Sequence, residues 1–215
     1  SDIIGLLFAQ ARVNVPADVD GKAAQDALAF YTNFVLEDKV WSTDLPEASV
    51  AFSQERVSMI FVPVWNLADI IEARPDLDIG VAPVPQALPD DPASWSSFWV
   101  DVVPVASQNP TAAWSYINFI SSEEQQLFNY SETSKYRPYG APYSLTILAP
   151  ELSDNPYISP VLQSASYSET NELAARAGNR RQVDAMRAAV NEILQNPSAR
   201  KYQEVLTEAK AELSR

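Results

Sequence analysis

Histidine and cysteine are both absent from this sequence of 215 residues. Without histidine the chain lacks the commonest general base and the usual metal ligand, and it has no Ser–His or Cys–His nucleophile pair. The additional lack of cysteine removes the second favoured zinc ligand. A chain without disulfides is compatible with a reducing or an extracellular compartment. We therefore expect no metal, no cofactor and no catalytic residues.

Basic residues are also scarce. Lys and Arg total 15 against 28 Asp and Glu, which gives a formal net charge of −13. Nucleic-acid binding requires clustered basic side chains, so this balance argues against it. The acidic residues are scattered along the chain, as on a solvated surface. No apolar run approaches the ~20 residues of a membrane-spanning helix, and Ser1–Gly5 does not resemble a signal peptide.

Glycine is rare and proline is frequent, with 5 and 16 residues respectively. This ratio favours rigid connections over flexible linkers. The 47% of hydrophobic residues is enough to build a core. The length predicts one large domain or two small ones.

Helical periodicity covers much of the sequence. Asp18 or Asp20 is expected to cap the second helix, and Ser121 or Ser122 the sixth. The section 131–160 is rich in turns and predicts only short helices. Two amphipathic helices follow, separated at Pro197. The earlier predicted helices cover Ile3–Gln10, Asp20–Leu36, Pro46–Gln54, Asn66–Arg74, Asn109–Ile120 and a segment beginning at Ser121 or Ser122.

Three apolar segments have the composition of buried strands: Val57–Val64, Asp78–Pro85 and Phe98–Ala106. Each is rich in β-branched or aromatic residues. Pro104 within the third segment indicates an edge strand or a bent one. The mixture of helices and strands predicts an α/β or α+β fold.

The order of these elements resembles the later portion of the extracellular solute-binding proteins of ABC importers, carbohydrate-binding type. The resemblance is carried by Leu28–Tyr31, Ala51–Met59, Ile79–Pro85 and Asn109–Gln125. The order and spacing of the motifs are the specific signal, because each motif alone is a core pattern. Glu55-Arg56 stands where the family usually has Gly-Lys, at a turn.

The resemblance implies an α/β fold of the periplasmic-binding-protein-like type II, helix-rich with a small mixed sheet. It assigns residues 1–96 and 151–215 to the C-terminal lobe and residues 97–150 to a segment that returns to the N-terminal lobe, which is otherwise largely missing. Trp114 repeats on its helix with Ile117 and is expected to be a core residue. In this chain the returning segment is expected to expose its apolar residues, namely Val100, Val102, Val105, Trp114 and Phe119.

The function implied by the resemblance is capture of a sugar or oligosaccharide and its delivery to the membrane permease subunits, without catalysis. The location implied is extracytoplasmic, periplasmic or cell-surface lipoprotein, although a signal peptide is absent from this chain. We expect weak or absent sugar binding by the isolated chain. The missing N-terminal part, a companion polypeptide, an oligomer or a domain swap is expected to cover residues 97–150, and the alternative is that this segment is repacked.

Aromatic residues at the expected cleft are the candidate ligand contacts, since sugars present flat apolar C–H faces between hydroxyls. Trp65 ends a predicted strand and matches the family's stacking residue; the alternative is a core or lid tryptophan. Asn66 is either a hydroxyl donor or a helix cap. Arg137 is a candidate donor or a surface arginine. Trp95, Trp99 and Tyr167 complete the candidate set.

Other function classes remain open from the residues alone. A receptor of the same fold for a polyamine would place carboxylates inside the cleft. A glycosidase would need two carboxylates about 5–10 Å apart, and Asp69 and Asp101 are the only candidates near the aromatic residues. A structural interaction module that inherited the fold without its ligand is the fourth option.

Overall fold

The computed structural model describes residues 2–140, 142–171, 173, 178–197 and 201–214. The chain divides into two compact units. Unit 1 comprises Ser1–Pro75, Val84–Ser97 and Tyr167–Arg215, and unit 2 comprises Asp76–Pro83 and Phe98–Ser166.

Helices dominate both units, and the helices predicted from the sequence are confirmed. Within the part of the chain that the structure describes, no helix is long and apolar enough to cross a membrane. Two short 3₁₀ helices, Thr146–Leu152 and Ala165–Tyr167, lie in and just after the turn-rich section. The α-helices are α1 Asp2–Gln10, α2 Lys22–Leu36, α3 Ala48–Ser53, α4 Asn66–Ala73, α5 Pro110–Ile120, α6 Glu123–Thr133, α7 Ser159–Ser164, α8 Arg180–Gln195 and α9 Tyr202–Leu213.

The sheet is smaller than predicted. It consists of two parallel strands, β1 (Ser94–Trp95) and β2 (Ser168–Glu169), with Ser94 opposite Ser168. The strand predictions for 57–64, 78–85 and 98–106 are wrong, because none of these segments forms a ladder with any described residue. A strand exists only where a neighbouring backbone accepts and donates its hydrogen bonds. The helix-rich α/β character with a small sheet is confirmed.

The hydrophobic core of unit 1 is built by helices from the two ends of the chain. α1 contacts α2, α2 contacts both α8 and α9, and α8 contacts α9. Their inward positions repeat at helical spacing, which is why each helix buries one stripe. Fully buried members of this core include Ile4, Phe8, Leu28, Met186, Ile193 and Leu206.

The start of α2 differs from the sequence prediction. Gly21 occupies the N-cap position, and no side chain caps the helix there. Asp20 instead accepts a hydrogen bond of 2.7 Å from Lys210 Nζ on α9, and this bond lowers the pKa of Asp20. The carboxylate thus connects the segment before α2 to the last helix.

The turn after α3 explains one departure from the family pattern. Glu55 has φ 57°, the left-handed region in which glycine is least strained. Its carboxylate accepts a hydrogen bond of 2.7 Å from Arg74 Nη2, at the end of α4. A side chain at this position therefore ties α3 to α4, a contact that glycine would not provide.

Unit 2 buries few residues. Its buried side chains include Tyr139, Leu148, Leu152 and Ile158, whereas no residue of α5 is buried. The prediction of Trp114 as a core residue is wrong for this chain, since 54% of Trp114 is exposed. The predicted exposure of the apolar residues in 97–150 is confirmed for Val100, Val102, Val105, Trp114 and Phe119.

Polar side chains organise the rest of unit 2. Gln126 accepts hydrogen bonds from the Ser144 and Leu145 backbone N–H groups. Asn155 Nδ2 donates to Tyr130 Oη at 2.9 Å. Gly140 adopts φ 61° against the Tyr130 ring. The loop between α6 and the first 3₁₀ helix is therefore fixed by α6.

We expect Asp20→Asn to destabilise the chain at neutral pH. Because the pKa of Asp20 is lower in the folded state, the ion pair's contribution is complete above the unfolded-state value of about 3.9 and is lost as pH falls through the folded-state value. The variant should lower the urea midpoint at pH 7, and the difference from wild type should shrink as pH falls through the folded-state pKa of Asp20.

Asp26→Asn is the matched control, because Asp26 pairs with Lys22 inside α2 and links no second helix. An equal loss in both variants at pH 7 would show that the Asp20–Lys210 contact has no special role.

Gly140→Ala should destabilise unit 2. A Cβ there would lie 2.6 Å from Tyr130 Cδ2, and the left-handed backbone adds strain. We expect a loss of about 2 kcal/mol in urea unfolding. Gly80→Ala is the control within the same unit, because a Cβ at Gly80 meets nothing within 4 Å. Similar stabilities for the two variants would contradict the packing of Gly140 on Tyr130.

Candidate functional site

The start of α4 presents an exposed tryptophan beside a fixed amide. Trp65 precedes the helix and is 44% exposed. Asn66 is the first helical residue, and its Nδ2 donates a hydrogen bond of 3.2 Å to Ser49 Oγ on α3. Ser49 is itself buried. Trp65 rather than Asn66 occupies the N-cap position, and the hydrogen bond to Ser49 on α3 orients the Asn66 amide.

Trp95 lies in a different part of unit 1, in β1. Its Nε1 donates to Asn171 Oδ1 at 3.3 Å, and the ring is half-buried. A Cβ added to Gly5 on α1 would lie 3.1 Å from Trp95 Cε2. The absence of a side chain at Gly5 therefore lets α1 approach the indole, which uses much of the ring for packing.

Tyr167 immediately precedes β2 and is half-buried. The register of the sheet places the next residue, Ser168, opposite Ser94, the neighbour of Trp95. The two-stranded sheet thus brings together the chain segments that carry Trp95 and Tyr167. Trp65 and Asn66 belong to the α3–α4 region of the same unit.

Arg12 fixes the chain beside this sheet. It follows α1 with φ 56°, and its Nε donates to Asp91 Oδ2 at 3.0 Å while Nη1 donates to Glu169 Oε1 at 3.3 Å. Hydrogen bonding to Asp91 raises the pKa of Arg12. The guanidinium therefore connects the end of α1, the segment before β1 and β2.

Trp99 and Arg137 are the two candidates that lie in unit 2. Trp99 is 95% exposed. Arg137 is also exposed, and its backbone N–H bonds to Thr133 O at 2.9 Å in the turn after α6. Neither side chain is held against other parts of unit 2 by a described contact.

A groove of about 530 Å³ runs between α8 and α9, and none of the six candidate residues lines it. Its lining consists mainly of alanines and glutamates, and no aromatic ring lines it. The pKa of Lys201 at its edge is raised, first by hydrogen bonding to Glu204. Among the described residues, no group of three or more Asp or Glu side chains is arranged to hold a metal ion. The groove lacks the flat platforms expected of a sugar site.

The sequence interpretation missed two polar partners of the candidates: Ser49, which accepts from Asn66, and Asn171, which accepts from Trp95. Ser49 lies inside a helix, and its spacing from Asn66 has no recognisable motif. Asn171 follows a strand of only two residues, which no periodicity reveals. Both contacts depend on tertiary packing and leave no local signal.

Comparison with solved structures identifies the fold. One similar structure is the maltose-maltodextrin binding protein of the thermoacidophilic bacterium Alicyclobacillus acidocaldarius, with a TM-score of 0.62 and 18% sequence identity. The match covers 100% of this chain and 61% of that chain, so this chain spans less than two thirds of that protein's length. A comparison with curated protein sequences gives no significant match.

The sequence also matches a protein family directly. The matching region, residues 3–158, begins at the second residue of α1, continues beyond α6 and contains Trp65. It contains the four motifs on which the resemblance was based, and it covers most of the chain. The chain belongs to the family of bacterial extracellular solute-binding proteins.

Proposed function

We propose that this chain is part of the receptor of an ABC importer and contributes to the capture of a sugar or oligosaccharide outside the cytoplasm. The observation that carries the proposal is the exposed indole of Trp65 beside the oriented amide of Asn66. Membership in the solute-binding family supports the receptor role. The similar structure supports a carbohydrate, since its name describes maltose and maltodextrin binding.

The chemistry of the Trp65 region suits a sugar. A flat indole face attracts the apolar C–H face of a pyranose ring, while an amide hydrogen-bonds to the hydroxyls at its edge. The bond from Asn66 to Ser49 fixes the amide before any ligand arrives, so less conformational entropy is lost on binding. This arrangement provides one wall of a binding site.

Delivery to the membrane permease would follow from a shift between open and closed receptor conformations, driven by ligand contacts on both sides of a cleft. We propose a non-enzymatic role, because both the matching family and the similar structure are described as binding proteins. Asp69 is an exposed residue in the first turn of α4, and Asp101 is exposed in the other unit.

A titration of intrinsic tryptophan fluorescence with maltotriose tests the sugar proposal. We expect weak binding, with a dissociation constant on the order of 1 mM. Trp65→Ala should raise the dissociation constant at least about tenfold, because a stacking aromatic carries a large share of the affinity. Phe61→Ala is the matched control, since Phe61 lies nearby in sequence and is 43% exposed.

The possible outcomes of this titration separate the function classes. Nanomolar binding by the monomer would show that the site on this chain is complete. A response to spermidine and not to sugars would favour a cationic solute, as the charge of −13 permits. No response to either would favour an interaction module over a receptor.

Trp95 is expected to act through packing. Trp95→Ala should lower the free energy of unfolding by about 2 kcal/mol, because it removes a half-buried ring from α1 and a bond to Asn171. Trp99→Ala, at a fully exposed ring, should change it by less than about 0.5 kcal/mol. Unchanged stability of Trp95→Ala together with a lost sugar response would instead make Trp95 a ligand contact.

A further inference from the structure

The amide of Asn66 has an unequal free capacity for hydrogen bonding. An asparagine side chain carries two N–H donors on Nδ2 and two acceptor lone pairs on Oδ1. One Nδ2 hydrogen is used in the bond of 3.2 Å to Ser49 Oγ. No described residue donates to Oδ1, and this oxygen keeps contact with solvent. The side chain therefore presents mainly an acceptor to a molecule that lies beside Trp65.

The hydrogen bond of Ser49 to Glu47 determines which end of the amide faces α3. The Ser49 side chain is buried, and its hydroxyl has a single hydrogen, which it donates to Glu47 Oε1 at 3.4 Å. An ionised carboxylate accepts hydrogen bonds and cannot donate one. Ser49 Oγ is thus left as an acceptor toward α4. Asn66 must face it with Nδ2, and Oδ1 points elsewhere.

The pairing of α3 with α4 fixes this arrangement in the absence of a ligand. Ser49 and Asn66 join the beginnings of the two helices. Their ends are joined by Arg74, the C-cap residue of α4, whose Nη1 donates to Ser53 O at 3.0 Å. Because the helices are connected at both ends, the position of Ser49 relative to the Asn66 amide does not depend on a bound molecule.

We propose that Asn66 determines specificity by accepting a hydrogen bond from the ligand through Oδ1, and that Ser49 is the positioning residue that keeps this oxygen turned away from α3. The inference rests on the proposed function, because it takes Trp65 as the platform for the same ligand. The site then selects molecules that carry a hydrogen-bond donor beside a flat apolar face.

Two kinds of ligand group meet this requirement. A sugar hydroxyl both donates and accepts, and the ammonium group of a polyamine only donates. An ether oxygen in the same place would meet Oδ1 with its own lone pairs and would be rejected. The uncharged amide favours the hydroxyl, since a receptor for an ammonium group would gain more from a carboxylate at this position.

Titration of two Asn66 variants with maltotriose distinguishes an acceptor from a donor. Asn66→Leu removes the acceptor and should raise the dissociation constant about tenfold. Asn66→Asp keeps an acceptor oxygen and loses only the N–H that bonds to Ser49, so the increase should be about threefold. Asn14→Leu, at an exposed asparagine of unit 1, is the control and should leave the dissociation constant unchanged.

The positioning role of Ser49 is tested with a second serine of the same helix. Ser49→Ala should raise the dissociation constant about threefold, because the amide must then be ordered by the ligand. Ser53→Ala is the matched control, since Ser53 is equally buried and its hydroxyl donates to Ser49 O at 2.8 Å. In the Ser49→Ala background, Asn66→Leu should cost less affinity than it costs in the wild-type chain. Additive losses would show that Ser49 does not act through Asn66.

The results separate failure of this inference from failure of the proposed function. Binding of maltotriose with equal losses in Asn66→Asp and Asn66→Leu, or with no loss in Asn66→Leu, would overturn the inference and leave the proposed function intact. A response to spermidine alone, strengthened by Asn66→Asp, would support the acceptor role and replace the hydroxyl by an ammonium group as the donor. A wild-type chain that binds neither probe would overturn both.

Discussion

Contact between the first two and the last two α-helices is the constraint on which unit 1 depends. Phe8 and Leu28 from the beginning of the chain lie in one buried cluster with Met186 and Leu206 from its end. A core assembled from distant segments forms cooperatively, because loop closure costs entropy before any of these contacts is gained. α1 in turn contacts β1, so the position of Trp95 over Gly5 follows from the same packing. The indole could not keep this position if the helices of the core separated.

Electrostatic contacts connect segments around this core and add little to its stability. The Arg12–Asp91 and Arg12–Glu169 pairs are largely exposed, and screening by solvent makes such ion pairs contribute little to stability. Their geometric effect is larger, since one planar guanidinium bonds to two segments far apart in sequence. It thereby supports a sheet of only two residues per strand, which is too short to be stable by its own hydrogen bonds. The polar contacts of Arg12 therefore position the two strands, whereas burial of apolar side chains stabilises unit 1.

The helices and one candidate residue were predictable because their signals are local. Periodicity located α2, α5 and α8, and Trp65 was predicted to stand where a helix begins, as it does. The partners of the candidate residues were not predictable, since the Asn66–Ser49 and Trp95–Asn171 contacts join segments with no common motif. Capping at α2 failed for a related reason. Asp20 has a distant cation, Lys210, with which its carboxylate forms a stronger contact than with the helix N-terminus.

The three incorrect strand predictions have one physical cause. Alternation and β-branched content describe the surroundings in which a segment is stable as a strand, but the hydrogen bonds belong to its neighbours. Residues 98–105 keep the composition of a doubly covered strand while no described segment pairs with them. The motif at Asn109–Gln125, which helped to identify the family, shows the same separation of composition from surroundings. Its helix is apolar over most of its circumference, yet Trp114 and Phe119 on it are more than half exposed.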